Sequence, residues 1–183
     1  MQRRLKRWTI VVVLALVSIA ALVAAELPYL PFVHGSTADE VERLAGWLEL
    51  QPGTRVADFG DAAAGAGLSN VKVIPGARSS THLPEGCCDA LYSRFVYHHL
   101  TDAAAINADI FRALRPGGRL VIIDFEPHGI MNWIHRPETA DRHGGHGSPK
   151  ETVLKEVTAA GFQVLRGPEF WRGRTYGVLF RRP

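Results

Sequence analysis

Apolar positions along the chain come in three rhythms. Residues 8–25, WTIVVVLALVSIAALVAA, are apolar with only Thr9 and Ser18 as polar interruptions. Short apolar runs follow later: TRVADFG, NVKVIPG, DALYSRF, RLVIIDFE, FQVLR and TYGVLFRR. Their length and flanking turn residues predict buried strands. Between them the apolar residues take helical spacing. Val41, Leu44, Ala45, Trp47 and Leu48 predict an amphipathic helix over 38–50, opened by the capping box Thr37-x-x-Glu40. Thr101 or Asp102 caps a second helix that runs to Leu114, with RPGG as its stop and turn. Ser148-x-x-Glu151 opens a third that runs to Ala160, with Gly161 in the position after it.

Apolar strands alternating with helices predict an α/β domain with a mostly parallel sheet. Ligands of such sheets bind beyond the carboxyl ends of the strands. Residues 58–61, 76–79, 93–99 and 124–128 fall on that rim. One stretch breaks the pattern. VADFGDAAAGAGLSNVKVIPG (56–76) places two expected strands closer together than a normal parallel crossover, which takes at least about 10–12 residues including its helix. One cramped turn of helix fits there and a helix–strand–helix does not. The run Val71–Ile74 is therefore expected to lie beside Arg55–Phe59, in the place of the usual second strand or standing off from it.

Charge changes the picture only at the start of the chain. The formal net charge is +3, but Arg3, Arg4, Lys6 and Arg7 precede the first acid, Glu26. Without residues 1–25 the balance is 17 basic against 18 acidic groups. The basic character thus belongs to the N-terminal segment, and no basic stripe interleaved with aromatics suggests nucleic acid as a partner. A basic stretch ahead of a long apolar run reads as a membrane anchor or a signal peptide, since roughly 20 apolar residues span a bilayer. Val23-Ala24-Ala25 offers the small residues of a cleavage site, so both readings stay open. Either one puts the domain on the far side of the membrane, anchored or exported. Residues 26–37, with Pro28, Pro31 and Gly35, read as a linker, and 38–183 as the domain. Cys87 and Cys88 are adjacent and lack zinc-site spacing; they read as small buried hydrophobes.

At this point a family becomes recognisable. GTRVADFG, GLSNVKVIPG, LPEGCCDALYSRFVYHHL, IFRALRPGGRLVIIDFEP and VTAAGF resemble successive blocks of the class I S-adenosylmethionine-dependent methyltransferases, in their small-molecule branch. The resemblance runs from about Val41 to the C-terminus. It implies a Rossmann-like sheet, S-adenosylmethionine as cofactor and methyl transfer to a small-molecule acceptor. It also implies that Asp58, Gly60, Asp61, Ala77, Arg78, Ser93 and Arg94 occupy the cofactor-binding positions. Two departures stand out. The family's glycine-rich turn is not continued after Asp61, because AAAGAGLSNV resembles the end of the helix before the third strand. The turn, the first helix and the second strand with its acid are then absent, leaving one strand fewer than the family's usual seven. Ala77 stands where the family usually has Asp, and Arg78 cannot accept a hydrogen bond from an adenine amino group. Binding of the cofactor is therefore expected to be weak or absent.

Tyr97, His98 and His99, at the end of a rim strand, are the candidate catalytic residues, a histidine there being able to act as a general base. Asp124 and Glu126 end the next strand, as helix-capping, loop-orienting or substrate-binding acids. His128, His135, His143 and His146 crowd one loop without the spacing of a metal motif. That loop reads as a substrate lid, and no metal site is expected. Two functions compete: a methyltransferase acting on a small or membrane-associated acceptor, and a degenerate, non-catalytic homologue serving as a tethered module. A third, a metal protein or hydrolase built on the histidine loop, lacks the G-x-S-x-G nucleophile turn.

Overall fold

In the computed structural model, the described residues are 17, 18, 21, 38–59, 72, 74–127 and 147–183. The chain divides into two units, residues 1–35 and 36–183. In the first, Val17, Ser18 and Ala21 are helical and exposed. Among the described residues no helix is long and apolar enough to cross a membrane. Apart from those three residues, the apolar run 8–25 lies outside the described residues, as does the linker 26–37.

The second unit holds three helices and five strands among the described residues. Helix α1 (Ala38–Leu48) buries Trp47 and Leu48 and leaves Val41, expected on its apolar stripe, 56% exposed. Gly53, at φ +90°, turns the chain into β1 (Val56–Asp58). Strand β2 (Cys88–Arg94) leads through a 3₁₀ turn (Tyr97–His99) to α2 (Ala103–Ala113), whose N-terminus is capped by the Asp102 carboxylate accepting from Ala105 N at 3.0 Å. Strand β3 (Leu114–Phe125) precedes α3 (Lys150–Ala159), and the hairpin β4 (Gln163–Arg172) and β5 (Thr175–Arg181) closes the unit.

The sheet order is β1-β2-β3-β5-β4. The first three strands are parallel, with Asp58 opposite Tyr92 and Ser93 opposite Ile122. The last two are antiparallel, with Asp124 opposite Tyr176. Side chains alternate between the faces, as the period of two requires. Leu91, Leu120, Ile122, Tyr176, Val178 and Phe180 face Ile106 and Ile110 of α2 and Val153 and Val157 of α3. Ala90, Val121, Ile123 and Leu179 face Trp47 and Leu48 of α1. Each fully buried aliphatic side chain contributes about 1.5–3 kcal/mol, so these runs anchor the sheet and fix the height of its carboxyl rim.

Three expectations are corrected. Lys72 and Ile74–Gly76 are not in a strand, so the sheet has five strands among the described residues rather than six. Pro75 and Gly76 interrupt extension, and Ala77–Ser80 doubles back as a tight turn with Ala77 N donating to Ser80 O at 2.6 Å. RPGG is not a turn separating helix from strand. The chain becomes extended at Leu114, and residues 115–118 bulge within β3, the register jumping from Cys88↔Leu114 to Ala90↔Arg119. Gly117 takes the left-handed conformation that this bulge needs (φ +81°). Finally, Ser148 does not cap α3. Pro149 holds the cap position without a side-chain bond, and Glu126 Oε1 accepts from Lys150 N at 3.1 Å instead. A carboxylate there also suits the positive end of the helix.

Candidate active site at the carboxyl rim

The carboxyl ends of β1, β2 and β3 bring Asp58, Ser93, Arg94, the Tyr97–His99 turn, Asp124 and Glu126 to one rim. Asp58 lies opposite Tyr92, whose phenol donates to it. Burial first, then the Asp58 charge and this hydrogen bond, push the Tyr92 hydroxyl up to about 12. The pair therefore stays a neutral donor beside an acceptor. Arg94 Nε donates to Glu40 Oε1 of α1 at 2.5 Å, and its guanidinium lies 4.1 Å from the centre of the Phe95 ring. Ser93 is 1% exposed and its Oγ has no hydrogen-bond partner among the described residues.

Phe95 ends β2 in the left-handed region at φ 57°, unusual for a bulky residue. Its amide donates to Ile123 O at 2.9 Å, which ties the strained corner to β3. The three residues that follow point in three directions, because a 3₁₀ turn advances a third of a circle per residue. Tyr97 is buried against the helices: its hydroxyl donates to Glu156 Oε2 at 2.9 Å and accepts from Asn107 Nδ2 at 2.8 Å. Burial, the largest influence, drives that phenol far above its ordinary range, and the Glu156 charge adds to it. His98 is 7% exposed and turns to Asp124. His99 is exposed; burial of part of its ring and the neighbouring His98 charge lower its pKa.

Asp124 is fully buried, and its oxygens act as acceptors. Oδ2 accepts from His98 N at 3.0 Å, and Oδ1 from Phe125 N at 2.8 Å. Oδ1 also lies 2.9 Å from His98 Nδ1. The His98 ring is held edge-on to Phe125, centroids 5.0 Å apart, and 4.0 Å from the His99 ring. Below the rim, Asp109 of α2 holds the segment 80–83. Its Oδ2 accepts from Thr81 N at 2.7 Å and from Thr81 Oγ1 at 2.5 Å, while Arg112 pairs with its other oxygen at 2.7 Å.

Of the residues singled out in the sequence, His98 is brought to Asp124, and Asp58, Ser93 and Arg94 share the rim. Ala77 and Arg78 are exposed on the tight turn. Gly60, Asp61 and the histidine loop lie outside the described residues. Among those described, no group of histidines, cysteines and acids could hold a metal ion. Sequence reasoning missed Asn107, Asp109 and Glu156. For Asn107 and Asp109 the available signal was polar residues on a helix whose neighbours Ile106 and Ile110 are apolar, and for Glu156 one between the apolar Val153 and Val157.

Residues 53–122 match the model of the methyltransferase domain family. This stretch holds β1, β2, α2 and most of β3. The match covers less than half of the chain, and this stretch is similar to that family. No curated protein matches the chain. Solved structures share the class I methyltransferase fold at low identity. A SAM-dependent methyltransferase from Aquifex aeolicus superposes with a TM-score of 0.60 at 20% identity, covering 78% of this chain and 89% of that one. One from Mesorhizobium loti gives 0.59 at 17% identity, covering 79% and 98%. The [4+2]-cyclase SpnF shares the fold at 0.54 and 21% identity, covering 73% and 62%, so the fold alone does not fix the reaction. The rim would fit S-adenosylmethionine in part. The Asp58 carboxylate can accept from an ammonium group, and the orphaned Ser93 hydroxyl is a polar atom awaiting a partner. The Ala77 methyl and the Arg78 guanidinium offer no acceptor to an adenine amino group.

Proposed function

We propose that this protein transfers a methyl group from S-adenosylmethionine to a small-molecule acceptor at the rim formed by β1, β2 and β3. The observation that carries the reading is the match of residues 53–122 to the methyltransferase domain family, laid on parallel strands whose carboxyl ends gather Asp58, Ser93 and Asp124. The cofactor supplies an already activated methyl group, so the protein's work is alignment of acceptor and donor. Asp58 would hold the methionine end of the cofactor, with Ser93 and Arg94 on the same rim; the family resemblance assigns Gly60 and Asp61 to it as well. Tyr92 keeps the Asp58 carboxylate oriented, and the Glu40–Arg94 pair braces the neighbouring corner.

The short connection from Gly60 to Asn70 and the side chains of Ala77 and Arg78 support weak cofactor binding. Each lost hydrogen bond costs about 1–3 kcal/mol, and each 1.4 kcal/mol is about tenfold in affinity. The basic, apolar N-terminal segment supports a domain that is membrane-anchored or exported. The test is calorimetric titration of the full-length chain with S-adenosylmethionine, followed by transfer of a labelled methyl group to a panel of small phenols, amines and carboxylic acids. Binding with transfer supports the reading. A folded chain that gives no binding heat refutes it and leaves the tethered, non-catalytic module.

A further inference from the structure

We propose that Cys87 and Cys88 form a two-coordinate site for a soft monovalent cation, Cu(I), at the amino end of β2, the end of the sheet remote from the rim. The inference stands apart from the methyltransferase reading. Its ground is where the turn ahead of β2 puts two adjacent side chains. In an extended strand neighbouring side chains point to opposite faces. Here the chain turns at Gly86, φ 59°, and Cys87 N closes the turn by donating to Pro84 O at 3.4 Å. Cys87 therefore stands ahead of the strand, which begins at Cys88, and both side chains pack on the same core, the one beneath α2 and α3. The two thiols are within hydrogen-bonding reach of each other. Cys88 is buried and Cys87 half-buried, so an ion enters past Cys87.

The other uses of a thiol pair fit this corner poorly. The peptide between them is trans, which holds the two Cα atoms about 3.8 Å apart. Disulfides usually need about 4.4–6.8 Å, so a bridge here is strained. No group of three or more histidines, cysteines and acids among the described residues could hold a metal ion, and structural Zn(II) takes four protein ligands. Cu(I) is selected by soft sulfur ligands and is satisfied by two of them. On binding, each thiol releases its proton to water as its sulfur bonds to the ion. No electron is transferred, and the bis-thiolate complex carries one net negative charge. Two guanidinium groups stand ready to balance it. Arg112 is fixed to the turn, its Nη2 donating to Leu83 O at 2.8 Å and its carbonyl accepting from Gly86 N at 3.1 Å. Arg55 N donates to Asp89 Oδ2 at 2.7 Å, beside Cys88. The Arg112 charge bears on Cys87 and the Arg55 charge on Cys88. The acids nearby are Asp89, which pairs with Arg55 and Arg115, and Glu85.

The test uses the full-length chain, reduced with a phosphine under nitrogen and titrated with Cu(I) against the chromophoric chelator bicinchoninate. The chain is expected to take one Cu(I) from the chelator, with X-ray absorption showing two sulfur neighbours. Cys87→Ser changes the half-buried position and leaves the core closed, so its circular dichroism should match wild type. Its affinity should fall by more than the about 10–100-fold that a residue outside the ligand set costs. Cys88→Ser should lose binding to the same extent, and if that variant does not fold, Cys87→Ser decides alone. No uptake from the chelator overturns the proposal, as does unchanged uptake by Cys87→Ser. Nitrogen neighbours in place of sulfur place the ion on histidine and overturn it too. So does a copper-dependent dimer in the ultracentrifuge, which means that the two sulfurs come from two chains.

Discussion

Replacing Asp109 by Asn removes one charge from the clamp that holds residues 80–83 on α2. Burial works to raise the Asp109 pKa, but hydrogen bonds from Thr81 and Arg112 and the Arg112 charge outweigh it and hold the carboxyl at about 2, against an ordinary 3.8. At full strength that difference corresponds to about 2.4 kcal/mol of stabilisation. The Arg112 side chain is 42% exposed, so solvent screening reduces the expected contribution to about 1 kcal/mol. The folded value lies below the unfolded one. The stabilisation is therefore complete above pH 3.8 and disappears as pH falls from there towards 2. Urea titrations of the full-length wild type and Asp109→Asn, followed by circular dichroism, should differ in midpoint by about 0.5 M at pH 7. The gap should persist to pH 5, narrow through pH 3 and close near pH 2. A gap of the same size at pH 7 and at pH 2.5, or one that widens in acid, would refute the electrostatic account of the clamp.

Other perturbations report on packing. A Cβ on Gly177 would lie 2.5 Å from Trp171 Cε2, so Gly177→Ala should displace that ring from its edge contact with Trp47. The expected cost is about 1–3 kcal/mol, with a shift in tryptophan emission, and an unchanged melting curve would contradict the packing. Gly147→Ala should destabilise further, because φ is +88° and the new methyl would run into the Phe125 carbonyl oxygen. Thermal unfolding measures this. Tyr97→Phe leaves the fully buried Asn107 without its hydroxyl acceptor and should cost about 1–3 kcal/mol in urea. Asp102→Ala removes the α2 cap and should cost about 1 kcal/mol, read as a lower urea midpoint.

Much of the sheet was legible because β2 and β3 are covered on both faces and so read as near-continuous apolar runs. The α2 cap was legible because Asp102 sits directly ahead of a helical pattern. RPGG misled because glycine and proline mark a bulge as readily as a turn, and only the pairing register separates the two. The run Val71–Ile74 has the composition of a strand, yet its described residues Lys72 and Ile74 are in none, and composition alone names no pairing partner. The site was legible as a place more than as an arrangement. Tyr97, His98 and His99 read as one cluster, yet a 3₁₀ turn sends adjacent side chains to the helices, to Asp124 and to solvent. The clamp at Asp109 was hidden because its partners, Ser80 and Thr81, are remote in sequence, and nothing local marks a carboxylate that serves a distant loop.

The strand order also has a consequence for biogenesis. In the finished sheet β3 is flanked by β2, made before it, and β5, made after both α3 and β4. While the chain is still being synthesised, the Leu120–Ile123 stretch can pair on its β2 side only, and the other edge stays open until residues 175–181 have left the ribosome. The apolar rows that later meet Val178 and Phe180 are uncovered for the same interval. Unpaired edges beside exposed apolar surface are where nascent chains aggregate. This domain therefore needs its C-terminal hairpin before its central strand is safe, which makes the late strands β4 and β5 a condition for productive folding of everything before them.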